Sequence, residues 1–255
     1  MPTVTSKDGT SIAYDQVGEG PPIILVDAAG GYRGFGPMGG LASHLAKDLT
    51  VITYDRRGRG ESTDTQPYAV EREVEDLAAL VEAAGGTAFA HGFSSGGVLI
   101  LHAARQGVPI SKMVLLEPPL QRTPVESPLG AEITALVAAG RRGDAMVHFH
   151  RSIGVPEEIT NDMRNAPFWP GLEALAHTLA YDATITSTLG SDDLTGLTVP
   201  ALVVDSEGSD ARLRTWAEEV GAALPNGIHR RLPGEWHGVS PDVLSAAMVE
   251  FLVTA

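Results

Sequence analysis

The sequence predicts a doubly wound α/β fold, a mostly parallel sheet with helices on both faces, and three observations predict it. Short runs rich in Val and Ile alternate with helical patterns along most of the chain. Those runs are apolar on both faces, as strands sandwiched between two helical layers must be. Glycines and prolines mark the boundaries, with Gly85-Gly86 after one helical pattern and Pro225-Asn226-Gly227 after another.

The strands are expected at Ser11 to Val17, Pro22 to Val26, Leu49 to Tyr54, Thr87 to Phe93, Lys112 to Leu116, Ala201 to Val204 and Ile228 to Leu232. Between them, Val70 to Ala84 repeats apolar residues at helical spacing through Val70, Val74, Leu77 and Val81. Ser95 to Gln106 follows directly on a strand. Ala211 to Leu224 ends at Pro225, and Pro241 to Leu252 opens with Ser240 as N-cap and Pro241 at its first position. Residues 118–198 break the alternation. They carry no strand pattern and read as helices over Ala131 to Ala139, Asp144 to Ser152, Pro156 to Arg164 and Gly171 to Asp182. The expected organisation is therefore a core of residues 1–117 and 199–255, with residues 118–198 inserted as a helical cap over the C-terminal edge of the sheet.

Composition bounds the function. The chain has 255 residues, of which 43% are hydrophobic and 20% charged, ordinary for a globular protein with a sizeable core. A formal net charge of −14 repels phosphate backbones and anionic lipid, so neither nucleic acid nor a membrane is an expected partner. The absence of cysteine removes disulfides, thiolate nucleophiles and Cys-ligated zinc together. Met1 to Gly9 lacks a signal pattern and no run is long enough to span a bilayer, so the cytoplasm is the expected compartment. A homodimer is compatible with all of this.

The strongest local signal is Gly92-Phe93-Ser94-Ser95-Gly96, set between an expected strand and an expected helix. A serine on so sharp a turn is lifted clear of the sheet, and glycines two residues to either side let strand and helix approach. The following helix turns its free N–H groups and positive dipole end toward the hydroxyl. The glycine positions select Ser94 over Ser95 as nucleophile. A serine hydroxyl needs a base. Of eight histidines, His237 alone sits in a loop between the last strand and last helix. His148 and His150 are two apart on a helical segment and point apart, which disfavours a metal site. His91 reads as a packed strand residue.

These motifs, with Tyr54-Asp55-Arg56-Arg57-Gly58-Arg59-Gly60-Glu61-Ser62 about thirty residues before the elbow, resemble the α/β-hydrolase superfamily over the whole chain. The resemblance implies an eight-stranded sheet, a Ser-His-acid triad and no cofactor or metal. It gives the arginine-rich turn a structural role, fixing loops near the elbow. It also implies two oxyanion donors. One is the Ser95 amide and the other lies in Asp27-Ala28-Ala29-Gly30-Gly31, where Asp27-Ala28 replaces the family's usual His-Gly. The donor there is placed at Ala29.

Two positions compete for the acid. Asp210, in the loop after the strand at Ala201 to Val204, also fits as the N-cap of the next helix. Glu117 stands at the C-terminal end of the Lys112 to Leu116 strand, facing the crevice where α/β ligands bind. It is preferred, because zearalenone-type lactonases of this superfamily carry a glutamate there. Asn165-Ala166-Pro167-Phe168-Trp169-Pro170 resembles the cap segment of those lactonases. Trp169, Phe168 and Tyr32 are accordingly expected to contact substrate, with Phe149 in the same apolar pocket. The expected reaction is cleavage of a small-molecule ester or lactone with an apolar acyl or ring portion. Serine at the elbow argues against haloalkane dehalogenase and epoxide hydrolase chemistry, which need aspartate. A cofactor-independent lyase, cyclase or haloperoxidase-like activity is the alternative within enzymes. A ligand-binding protein with little turnover is the alternative outside them.

Overall fold

A computed structural model describes residues 2–253. Met1 of the leading segment and residues 254–255 of the expected core lie outside them. Eight strands form one sheet in the order β1-β2-β4-β3-β5-β6-β7-β8. They are β1 (Thr3–Thr5), β2 (Ser11–Val17), β3 (Pro22–Val26), β4 (Thr50–Tyr54), β5 (Ala88–Phe93), β6 (Ile110–Leu116), β7 (Ala201–Ser206) and β8 (Gly227–Leu232). The β1–β2 and β2–β4 pairs are antiparallel and all others parallel.

The apolar runs alternate between two layers, as strand geometry requires. Ile24 and Val26 of β3 pack with α2 (Val70–Ala83), α3 (Ser95–Arg105) and α9 (Ala211–Ala223). Ile23 and Leu25 point the other way, onto α1 (Met38–Leu45) and α10 (Pro241–Val253). Burying both faces explains why these strands carry no polar alternation.

The stretch 118–198 contains α4 (Leu129–Ala138), α5 (Arg142–Ile153), α6 (Glu157–Asn165), α7 (Trp169–Leu175) and α8 (Leu179–Ser187), with short 3-10 turns at Ala176–Thr178 and Ser191–Leu194. The helix expected over Gly171 to Asp182 is thus two helices joined by a 3-10 turn. Ile133, Met146, Phe149, Trp169, Leu172 and Leu179 give this segment an apolar cluster of its own, and Ala29 and Phe35 pack against it from the core. Among the described residues no helix is long and apolar enough to cross a membrane.

Candidate active site

The C-terminal ends of neighbouring strands β3, β5 and β6 bring the expected residues together. Ser94 follows β5 directly, at φ 52° and ψ −123°, a left-handed backbone unusual for a residue with a side chain. The two glycines make the turn fit. A Cβ on Gly92 would stand 2.6 Å from the Gly96 carbonyl oxygen, and one on Gly96 would strike the carbonyl oxygen of Val26. The turn is tied down by Ser94 N–H donating to Leu116 O at 2.9 Å. Ser94 lines the cavity, and its Oγ makes no hydrogen bond among the described residues.

Glu117 ends β6 at φ 46°. Its backbone N–H donates to Val204 O at 2.9 Å. Its side chain is wholly buried and fully committed: Oε1 accepts Ser206 N–H at 2.8 Å and Oε2 lies 2.6 Å from His237 Nδ1. His237, at φ 53°, lies in the loop after β8, where Ser209 Oγ accepts its backbone N–H at 2.9 Å. Its ring rests on Phe93 and Trp236, with centroids 4.8 and 5.4 Å away. With Nδ1 on the carboxylate, Nε2 is the nitrogen left to face the serine side. Ser94 and His237 line the same space. A hydrogen bond between such a pair commonly tightens only when substrate is bound.

Asp210 is elsewhere. Its Oδ1 accepts Leu213 N–H at 3.1 Å as the N-cap of α9, and Oδ2 faces Trp236 Nε1 at 3.4 Å. Burial raises its pKa, but the hydrogen bonds from Leu213 and Trp236 outweigh this and hold it below the usual carboxylate value.

The two expected oxyanion donors flank the serine. Ser95 opens α3, so its amide has no intrahelical acceptor. The Ala29 amide makes no hydrogen bond among the described residues, while the carbonyls around it are engaged. Arg59 Nη1 donates to Ala28 O at 2.7 Å and to Gly31 O at 3.3 Å, and Arg56 Nη1 to Asp27 O at 3.3 Å. The arginine-rich turn therefore sets the direction of the loop's peptide groups.

The same arginines reveal a residue that sequence reasoning missed. Asp182 on α8 is buried and accepts from Arg56 Nη1 (2.7 Å), Arg59 Nη2 (2.6 Å) and Ser95 Oγ (2.7 Å). Glu73 of α2 holds Arg56 through two further bonds of 2.7 and 2.9 Å. Burial alone would raise the Asp182 pKa, but Arg56 and Arg59 overcome it and keep it below the ordinary carboxylate value. One aspartate from the helical segment thus joins elbow, arginine turn and oxyanion loop. Nothing in the local pattern Leu179 to Ser187 marks it, because its partners are more than eighty positions away in sequence.

Ser94, Ala29 and His237 sit where two cavities of about 290 and 230 Å³ meet. The aromatic lining differs from expectation. Phe149 lines both cavities, joined by Phe35, Trp216 and Trp236, whereas Trp169, Phe168 and Tyr32 line neither. Trp169 is turned into the helical cluster and donates its indole N–H to Glu173 at 2.8 Å, one turn along its own helix. Phe168 is exposed and leans on Phe35 (centroids 4.9 Å), and Tyr32 stacks on the same ring at 6.3 Å. Phe35, which contacts both, is the one of the three that reaches the cavity.

The other histidines have separate partners. His148 pairs with Glu132 at 2.7 Å, His150 faces Thr160 at 3.2 Å, and His91 is buried with Nδ1 on Val114 O at 3.1 Å. Among the described residues Asp205, Glu218 and His229 form a group with metal-ligating spacing, but Arg231 Nη2 already bridges Asp205 and Glu218 at 2.8 Å each.

With this geometry in place, comparison with known proteins decides the family. Residues 23–250 match the Alpha/beta hydrolase family. The chain belongs to that family. A solved alpha/beta hydrolase from Sphaerobacter thermophilus is 45% identical, with 98% of this chain and 99% of that one aligned at a TM-score of 0.90. A non-heme haloperoxidase from Rhodococcus erythropolis is 27% identical over 99% of both sequences. A thermophilic esterase from Thermogutta terrifontis shares the fold at a TM-score of 0.77, with 20% identity over 99% of this chain and 97% of that one. An alpha/beta hydrolase fold with an eight-stranded, mostly parallel sheet is thus the architecture, and the strand ends that carry Ser94 and Glu117 are those at which ligands bind in open α/β sheets.

Proposed function

We propose that this alpha/beta hydrolase cleaves small-molecule carboxylic esters or lactones through Ser94, His237 and Glu117. The observation that carries the reading is the 2.6 Å contact of a wholly buried Glu117 with His237 Nδ1, in a cavity shared by His237 and a Ser94 of positive φ. In the proposed reaction His237 Nε2 takes the proton from Ser94 Oγ as the oxygen attacks the substrate carbonyl. The amides of Ala29 and Ser95 hold the oxyanion. The intermediate collapses, His237 gives its proton to the departing oxygen, and an acyl-serine remains. Water, deprotonated by His237, then attacks the acyl group, and Ser94 leaves with the proton. Glu117 keeps Nδ1 protonated and stabilises the imidazolium. Residues 118–198 serve as the cap, docked through Asp182.

The test is labelling of the purified protein with a fluorophosphonate, together with a p-nitrophenyl acetate burst. Both are expected in the wild type and neither in Ser94→Ala. A folded wild type that takes up no label and shows no burst refutes the reading and leaves ligand binding in its place. The name of the Rhodococcus relative favours a second reading, haloperoxidase-like activity, which a bromination assay with hydrogen peroxide and bromide checks directly.

A further inference from the structure

The two lobes that meet at Ser94 differ in chemistry. The smaller is walled by Met146, Ile159, Met163 and Leu172 and suits an apolar ring or chain. The larger carries a cation. Arg212 of α9 is its one lysine or arginine, and it shares that lobe with Ser94 and His237. Its guanidinium is braced and incompletely used. It lies over the Trp216 ring, 5.1 Å from the centroid, and Nη2 donates to Ile153 O at 2.8 Å at the end of α5. Gly154 permits this approach, since a Cβ there would stand 2.7 Å from Nη2. Nε and Nη1 make no hydrogen bond to the protein among the described residues. Asp210 forms a long ion pair with Arg212, Oδ2 to Nη2 at 3.7 Å, while its Oδ1 caps α9. Of the two acids that line the lobe, Asp182 is held by Arg56 and Arg59, and Glu126 forms no ion pair with Arg212.

We propose that Arg212 is a specificity-determining residue that takes a carboxylate on the substrate, so that the preferred substrates are esters or lactones with an apolar portion at one end and a carboxylate at the other. This rests on the hydrolase reading above. Nη2 keeps a second N–H after its bond to Ile153 O, and beside it either Nε–H or an Nη1–H supplies the parallel pair of donors that a carboxylate accepts; in a chain of net charge −14 an anionic substrate needs a local cation. The apolar lobe then fixes the opposite end, which sets the scissile carbonyl at Ser94 in one orientation.

Three esters of similar length test this: neutral p-nitrophenyl butyrate, p-nitrophenyl hemiglutarate with the charge on the acyl side, and 4-carboxyphenyl butyrate with it on the alcohol side. The wild type is expected to show a lower KM for one anionic ester than for the neutral one. Arg212→Gln should raise that KM about ten- to a hundredfold, leave p-nitrophenyl butyrate within about twofold, and be partly rescued by Arg212→Lys. No anionic preference in the wild type overturns the proposal. So does an equal loss on all three esters, which would make Arg212 a brace between α5 and α9. Calorimetry on Ser94→Ala with monomethyl glutarate against methyl butyrate reads the same preference without turnover. A failure of the hydrolase reading is thereby separated from a failure of this one.

Discussion

Replacing Glu117 by Gln tests the hydrogen-bond chain at its most constrained point. The carboxylate has two fixed neighbours, and both offer protons: Ser206 N–H at Oε1 and His237 Nδ1–H at Oε2. A glutamine can answer one of them. With its oxygen on Ser206, its NH2 faces Nδ1 and forces the imidazole into the tautomer with the proton on Nε2, the nitrogen that has to receive the serine proton. With the amide reversed, NH2 meets the Ser206 N–H and a buried donor is left unpaired, at a cost of about 1–3 kcal/mol. Loss of the charge adds to this. At a separation of roughly 4 Å and an effective dielectric near 20, carboxylate and imidazolium attract by about 4 kcal/mol, which corresponds to roughly three decades in rate. The kcat of Glu117→Gln on p-nitrophenyl acetate should therefore fall about 10³- to 10⁴-fold at mildly alkaline pH. KM should hardly change, because Glu117 lines neither cavity. Asp210→Asn, which alters a helix cap, an indole contact and the 3.7 Å ion pair with Arg212, should stay within about threefold in kcat on this neutral ester. Steady-state kinetics on both variants, with circular dichroism to verify folding, decides between them. A Glu117→Gln enzyme within tenfold of wild type, or an Asp210→Asn enzyme as impaired as Glu117→Gln, would refute the assignment.

Other predictions concern the supports of the site. Asp182→Ala leaves Arg56 without one partner and Arg59 without its carboxylate, both buried, and should cost about 3–5 kcal/mol in urea unfolding. Asp27 is buried with Oδ2 unpartnered, and burial pushes its pKa up to about 6 against the partial opposition of the Ala28 amide and Arg59. A carboxyl raised in the folded state favours folding most when protonated, so stability is lost as pH rises from about 4 to 6 and stays lost above. Asp27→Asn cannot ionise. Its unfolding free energy in urea should match wild type below that window and exceed it above by up to about 3 kcal/mol. His91 has the opposite dependence. Burial lowers its pKa to about 4, so its own contribution to stability falls as pH drops from about 6.5 toward 4, opposing that of Asp27, and His91→Gln should gain on wild type over that range in pH-dependent thermal melts.

Much of the fold could be read from the chain because buried parallel strands announce themselves. Seven strands and the four core helices at Val70, Ser95, Ala211 and Pro241 stand within about two residues of their expected bounds. Strand β1 has three residues, too few for a period, and α1 begins Met38-Gly39-Gly40, where two glycines suppress the helical signal. Ser94 and His237 are recognisable by local context, and Glu117 by its place at a strand end. Trp169 was misleading for a different reason. The helix expected from Gly171 leaves Trp169 outside it, whereas Trp169 opens α7, and which side of α7 meets the cavity depends on how α5 and α7 pack; the indole lies against its own helix and the cluster beneath. Asp182 shows the same limit. A helix-borne aspartate becomes a keystone only once two arginines from a distant turn arrive beside it.

The backbone supplies an argument that does not depend on any motif. Among the described residues three that are not glycine have positive φ: Ser94, Glu117 and His237. Each such residue costs of order 1–3 kcal/mol and persists only where its surroundings impose it. Chance would scatter three of them over turns. Here two stand at the ends of adjacent central strands and the third in the loop after the last strand, and the second and third are in hydrogen-bond contact. The constraint on each can be traced: Ser94 is held by Leu116 O and its flanking glycines, Glu117 by Val204 O and Ser206 N–H, His237 by Ser209 Oγ. A fold that merely needed tight turns would place glycine at these positions, as it does at Gly58 and Gly107 with φ 74° and 83°. That it accepts side chains at the strained positions implies that the side chains are what the strain is for. Ser206→Ala and Ser209→Ala probe this separately. The first removes the hydroxyl that accepts Gly208 N–H and donates to Glu235 O in the histidine loop, and the second removes the acceptor of the His237 amide. Both should lower kcat more than they lower the melting temperature. A loss of stability without a loss of rate would mean that the strain serves the fold alone.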